Sequence, residues 1–288
     1  MARLLTRIVD AQARWAKPLG DFNHRWLAAL FRPMRPVKEL LHGRWLGTHP
    51  LHAAVTDVPV GALTVAVVLD LLGQSGGADV ALVIGILGLV ASAATGAADF
   101  VDTDGSARTK ATVHSVIMVV GLVVLLASVV LRAGEPADRA VPVILSIVGY
   151  LVVVAGAYVG GDVVFALGNM VDRHAWRGRG TKWLALDLGE ATEIPEGVPV
   201  KAKAGPNALV LVRQGQAIHA LHDQCAHAGG SLSEGRIVDG CIECPWHASR
   251  FRLTDGAARR GPTLHDQPAY EVRPAEGGPG HDVRRAFR

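Results

Sequence analysis

The chain has 288 residues, half of them hydrophobic and only 5% aromatic, with a mean hydropathy of +0.28 and a net charge of +3. That balance is high for a soluble protein, and the small excess of positive charge calls for no nucleic-acid partner. Three cysteines are too few for a disulfide framework and suit a reducing compartment. Residues 1–19 spread Arg3, Arg7, Arg14 and Lys17 among Leu4, Leu5, Ile8, Val9 and Trp15. With no continuous apolar run, this stretch is not a cleavable signal and predicts an amphipathic helix on the inner leaflet. A second such piece is expected over 23–31, and packing of these helices on a C-terminal domain is the plainer alternative. Residues 1–46 are read together as one interfacial segment.

Four apolar stretches follow, at 51–72, 80–98, 111–131 and 140–161. Each is near the ~20 residues that a helix needs to cross a bilayer. The first is the weakest, because it holds His52, Asp57, Pro59 and Asp70. Together they predict an all-α four-helix transmembrane bundle over 47–171, with both termini on one side. Arg35, Lys38, Arg44, Arg108, Lys110, Arg173, Arg177, Arg179 and Lys182 flank one set of helix ends, and only Arg132 and Arg139 the other. The positive-inside rule therefore predicts a multi-pass protein of the cytoplasmic (inner) membrane with both termini in the cytoplasm.

On this topology His49, His52, Asp57, Asp99, Asp102, Asp104, His114 and Asp162 gather at the cytoplasmic ends of the spans. A charge within a span costs several kcal/mol unless paired, so these residues are functional candidates. Three readings stay open. The groups cap helix ends and pair with Arg108 or Lys110; or His52 and His114 hold a b-type haem; or the cluster serves a quinone or proton-linked site. Asp57, just before Val58-Pro59, reads as a helix start, and Asp70 as a lone solvated group. The segments His49-Pro50-Leu51-His52, Asp57-Val58-Pro59-Val60-Gly61, Thr95-Gly96-Ala97-Ala98-Asp99-Phe100 and Gly160-Gly161-Asp162 resemble a bacterial membrane-domain family of unknown function. That resemblance implies four spans and a membrane location, but no chemistry.

An Arg/Gly-rich link is expected over 172–181 and a second domain over 182–275. Short β runs at 198–204, 208–213, 216–222 and 240–244, with turn residues at Gly205-Pro206-Asn207 and Gln214-Gly215, predict antiparallel strands. Residues 276–288 read as a loose tail. No internal repeat, nucleotide-binding glycine loop or hydrolase triad is visible.

The second domain carries Cys225-Ala226-His227, then sixteen residues, then Cys244-Pro245-Trp246-His247. Each half-motif offers one thiolate and one imidazole. A Rieske 2Fe-2S cluster needs two of each, thiolates on one iron and neutral imidazoles on the other. Tetrahedral zinc also accepts two Cys and two His, but zinc fingers usually pair like with like within each half. Residues 182–274 resemble a Rieske-type ferredoxin, of the kind that feeds bacterial ring-hydroxylating oxygenases. The resemblance rests on Leu221 through Gly235 and on Cys244-Pro245-Trp246-His247-Ala248-Ser249-Arg250-Phe251, with Ala248 where the family usually has glycine. It implies an all-β antiparallel sandwich after the helical bundle, and Cys225, His227, Cys244 and His247 as ligands. The membrane family can occur fused to such domains.

The resemblance also bears on the potential. Gly230 and Trp246 stand where high-potential relatives carry a loop-bridging disulfide. Ser249 keeps a hydroxyl that can donate to a bridging sulfide, while Phe251 replaces a tyrosine donor. Lost hydrogen bonds to sulfur lower the potential, toward about −150 mV. Cys241 reads as a buried apolar residue beside the cluster. His219-x2-His222-x4-His227 is no facial triad, since that site needs two histidines and a carboxylate. The expectation is thus an electron carrier or oxidoreductase component rather than a complete enzyme. It would sit in the bilayer and pass electrons between a reductase or quinol-linked donor and a partner oxidoreductase, with His227 and His247 as the solvent-near ligands. Alternatives are a membrane oxidoreductase with haem or quinone as second centre, and a redox sensor.

Overall fold

The computed structural model describes residues 2–134, 138–175, 182–276 and 280–286, and the chain divides into units Met1–Asn169 and Met170–Arg288. Arg177 and Arg179 of the basic flank lie outside the described residues. The first unit begins with α1 (Ala2–Ala11), α2 (Ala13–Phe31) and α3 (Arg35–His42). The piece expected at 23–31 is not separate, because α2 runs straight through Pro18. One face of α1 and α2 buries Val9 and Ala16 against Val113 and Val159 of the spans. Phe22, Trp26 and, past α3, Trp45 stay exposed, and tryptophan is a residue type favoured at a membrane–water interface.

The apolar runs become α4 (Leu51–Leu71), α5 (Ser75–Phe100), α6 (Gly105–Ala133) and α7 (Ala140–Gly161), each long and apolar enough to cross a bilayer by length and composition. A helix satisfies its own backbone polar groups, which is what a lipid environment demands. Val65, Leu87, Val123 and Leu151 point outward from the bundle. Asp57 does not start a helix: α4 begins at Leu51, after an extended Pro50, and encloses Pro59. The proline ring is accommodated by Gly88 of α5, where a Cβ would lie 2.9 Å from Pro59 Cδ.

The bundle is an internal duplication that is faint in the sequence. His52 and His114, Leu63 and Leu125, and Asp70 and Arg132 share one interval along the chain, relating α4 to α6. Gly85 and Gly149, Ser92 and Gly156, and Gly96 and Gly160 share a second, relating α5 to α7. The contacts repeat accordingly. Leu63 packs on Gly85 as Leu125 packs on Gly149, each leucine Cγ 2.7 Å from where a glycine Cβ would stand. Elsewhere the two halves have diverged in complementary fashion. Pro59 on Gly88 corresponds to Gly121 beside Val152, the small residue having changed helices.

Asp70 is neither alone nor solvated. Its side chain is 2% exposed and takes a bidentate pair from its repeat equivalent, Arg132, at 2.9 and 2.5 Å. Arg132 also donates to Asp79 at 2.7 Å and to Ser128 and Ser146 at 3.1 and 2.9 Å, and Arg139 closes on Asp79. Four helices are tied together at this end. The sequence reading missed the pair because two charges far apart in the chain meet only once the hairpins pack.

The second unit holds two antiparallel sheets. Its strands are β1 (Leu184–Ala185), β2 (Val200–Ala204), β3 (Asn207–Gln214), β4 (Ala217–His222), β5 (Arg236–Val238), β6 (Cys241–Glu243), β7 (Arg250–Arg252), β8 (Ala258–Arg260), β9 (Ala269–Pro274) and β10 (His281–Arg285). The orders are β1-β10-β9-β4-β3-β2 and β5-β6-β7-β8. β3 alternates between two cores, Val210 and Val212 facing the one that holds Cys225, Cys244 and Phe251, Leu209 and Leu211 the other. The expected loose tail is partly ordered, since β10 pairs with both β9 and β1 and buries Val283. Alternation over five residues was too short to read against the surrounding glycine and charge.

Candidate metal centre

Strand ends deliver both half-motifs. Cys225 follows β4 and Cys244 follows β6, so each loop is anchored by a strand of a different sheet. The first loop closes through Cys225 N–H to Gly230 O and Gly229 N–H to Cys225 O, both 2.9 Å. The second closes through Cys244 N–H to Ser249 O at 2.8 Å and Ala248 N–H to Cys244 O at 3.1 Å. That turn holds Ala248 at φ +59°, a conformation that costs a side chain with a Cβ roughly 1–2 kcal/mol. Ala248→Gly is therefore expected to raise the domain's unfolding free energy by about 1 kcal/mol, read from denaturant midpoints.

The loops bring the four candidate ligands together in like pairs. The Cys225 and Cys244 sulfurs lie within hydrogen-bond contact, and the His227 and His247 ring centroids are 4.9 Å apart and edge-on. Among the described residues no three His, Cys, Asp or Glu side chains surround a single ion position. A sulfur pair and an imidazole pair are the donor set of a two-iron cluster. The hydrogen bond from Cys225, with the backbone N–H groups of Trp246 and His247, lowers the Cys244 thiol to about 7, and the same bond and burial push Cys225 up. A nascent thiolate is what a metal takes.

The surroundings are close-fitting. A Cβ on Gly230 would sit 2.9 Å from the Trp246 ring and 3.2 Å from Cys244 Sγ, so the positions 230 and 246 singled out above face each other across the loops. Phe251 is fully buried beneath them, and Ser249 Oγ accepts from Thr263 N–H at 3.2 Å. Cys241 is buried in β6, as read, and burial raises its thiol. His219 and His222 lie three apart on β4 and point to opposite faces.

One expectation needs correcting. His227 is only 5% exposed, because Met170, Val171 and Pro262 to His265 line a small cavity against it. His247 is half-buried, beside Trp246 at 54% exposed. Of the two histidines, His247 is the more exposed.

Several supporting residues carried no readable motif. Buried Gln267 accepts from Ala226 N–H at 2.9 Å and donates to the carbonyls of His222 and Gln224, both at 2.6 Å. Arg173 donates to the His227 carbonyl at 2.9 Å, and His174 to that of Gln224 at 2.7 Å. Asp223 takes Ser231 Oγ and Ser233 N–H at 2.7 and 2.8 Å. Beside Cys244, buried Glu243 is clasped by Arg236, Arg250 and Arg260. Burial alone would raise its carboxyl, but the hydrogen bonds from Arg250 and Arg236 hold it below the usual range.

The membrane-domain candidates do not form one site. Asp99 is paired with His42 and Asp102 with Lys38, both at 2.6 Å, and Asp162 with Lys110 at 3.2 Å. Asp104 occupies the extended position before α6, while His49 and Asp57 are exposed. His52 and His114 do meet, their ring centroids 6.4 Å apart and edge-on.

Comparison with known proteins agrees with this architecture. Residues 184–271 match the family described as the Rieske 2Fe-2S domain, and residues 48–173 the family described as a predicted membrane protein (DUF2231). The anthranilate 1,2-dioxygenase ferredoxin subunit of Burkholderia cepacia is 34% identical over 90 residues, 31% of this chain and 83% of that protein. The 3-phenylpropionate/cinnamic acid dioxygenase ferredoxin subunit of Escherichia coli (strain K12) is 34% identical over 87 residues, 30% of this chain and 80% of that one. Among solved structures, the ferredoxin of carbazole 1,9a-dioxygenase from Nocardioides aromaticivorans IC177 aligns with 36% of this chain and 99% of its own, at 26% identity and a TM-score of 0.32.

Proposed function

This chain belongs to the Rieske 2Fe-2S family through its C-terminal domain, and from that premise we propose a membrane-anchored, cytoplasm-facing carrier of single electrons. The cluster, when bound, supplies a one-electron couple. Cys225 and Cys244 would hold one iron and His227 and His247 the other, while Gln267, Arg173 and His174 fix the carbonyls of the first loop. One electron enters from a soluble reductase or quinol-linked donor, and one leaves to a partner oxidoreductase. Both exchanges use the His247–Trp246 edge, since His227 is covered.

The observation that carries this reading is the sorting of the donors into a sulfur pair and an imidazole pair, in a chain with four spanning helices. Orientation rests on the excess of basic residues at one set of helix ends. The two cations of the opposite end, Arg132 and Arg139, are ion-paired to Asp70 and Asp79.

A direct test uses membrane vesicles of both orientations, NADH and a soluble dioxygenase-type ferredoxin reductase. Reduction, followed by the paramagnetic signal of the cluster, is expected in inverted vesicles and absent in right-side-out ones. Reduction confined to right-side-out vesicles would reverse the orientation. No reduction in detergent-solubilised protein would remove soluble reductases as donors.

A further inference from the structure

The two halves of the membrane domain present one arrangement twice. His52 of α4 donates its Nδ1 proton to the Ser92 carbonyl of α5 at 2.9 Å, and His114 of α6 donates its own to the Gly156 carbonyl of α7 at 2.8 Å. Ser92 and Gly156 are equivalent in the repeat, as are the two histidines. One turn further on, Gly96 and Gly160 make the slots for the rings. A Cβ at either would lie 2.9 Å from His52 Cε1 or 3.0 Å from His114 Cε1. The two rings then meet between the hairpins, 6.4 Å between centroids. A proton held on each Nδ1 leaves the lone pair on each Nε2, on the far side of the ring from its carbonyl.

We propose that His52 and His114 together bind one transition-metal centre between two neutral imidazoles. A carbonyl on the other ring nitrogen is the usual support of a metal-bound histidine, fixing its tautomer and raising its basicity. Here that support occurs in both halves, whereas the Asp70–Arg132 and Pro59–Gly121 positions differ between them. The 6.4 Å between centroids matches two metal–nitrogen bonds of about 2 Å and two half-rings placed in line, that is, two imidazoles in trans on one metal. Imidazole pairs suit iron, copper, nickel and zinc. Among the described residues no third His, Cys, Asp or Glu joins the pair, so the remaining positions belong to ligands from outside the protein. The equatorial nitrogens of a tetrapyrrole would complete iron, and small exogenous ligands a bare ion. This site is independent of the cluster and of the direction of electron flow.

The test uses the full chain in detergent, carrying its cluster. Wild-type protein is titrated with haemin, and in a second series with Co(II), following the Soret band or the cobalt visible bands. Saturation at one equivalent per chain is expected with one of the two probes, which also identifies whether the centre is a tetrapyrrole or a bare ion. His52→Gln and His114→Gln keep an N–H for the Ser92 and Gly156 carbonyls but lose the metal-binding nitrogen. Each is expected to weaken binding at least tenfold while leaving the cluster's paramagnetic signal unchanged. Wild-type protein that saturates with neither probe, or glutamine variants that bind as wild type, would overturn the proposal. If a glutamine variant fails to fold, His52→Met or His114→Met provides the second reading. A methionine ligand is expected to shift the absorption bands, and unshifted bands count against the site.

Discussion

With His227 and His247 both replaced by cysteine, the midpoint potential is expected to fall from about −150 mV toward about −400 mV, the value of all-cysteine clusters. Two neutral imidazoles would give way to two thiolates, and the added negative charge disfavours the reduced state. The effect is strong because position 227 is buried and so poorly screened by water. The paramagnetic signal of the reduced protein is expected to move in parallel, from the low average g value of mixed ligation to that of all-sulfur ligation. Voltammetry and paramagnetic resonance on the same preparation check both. A potential and spectrum unchanged from wild type would remove the two histidines from the ligand set.

Arg132→Leu is expected to lower the stability of the membrane domain by about 3–5 kcal/mol, the usual cost of leaving one buried charge without its partner. Asp70 would keep a carboxylate among packed helices, and Ser128 and Ser146 would lose a donor they share. Asp79 is less affected because Arg139 remains. Adding Asp70→Leu should recover most of the loss, since a buried ion pair replaced by apolar side chains of similar size is often nearly neutral. Unfolding midpoints in mixed detergent micelles compare the three proteins. Equal midpoints for wild type and Arg132→Leu would show that the pair contributes nothing.

Much of this protein was determined by local sequence. Spanning helices follow from uncharged length, and four runs of it are present whatever their neighbours do. The metal centre follows from donor chemistry at fixed spacing, since Cys225, His227, Cys244 and His247 sit in two short loops that any fold must present as units. The strands of the second domain were legible where alternation ran long enough between turn residues, as over β3 and β4, and were missed at β10.

What only the tertiary structure decided lies between elements. A spanning helix is apolar around its whole circumference, so hydropathy carries no information about which face meets which neighbour. The pairing of Asp70 with Arg132, the meeting of His52 with His114, and the dispersal of Asp99 and Asp162 to His42 and Lys110 all depend on helix rotation. The duplication escaped notice for the same reason. Its identities in sequence are sparse, and the contacts that give them meaning, glycine under leucine and glycine under histidine, exist only once the hairpins pack. The covering of His227 by Met170, Val171 and the 262–265 loop likewise joins segments distant in the chain. Spacing chose the candidate ligands, and packing alone decided how deeply each histidine is buried.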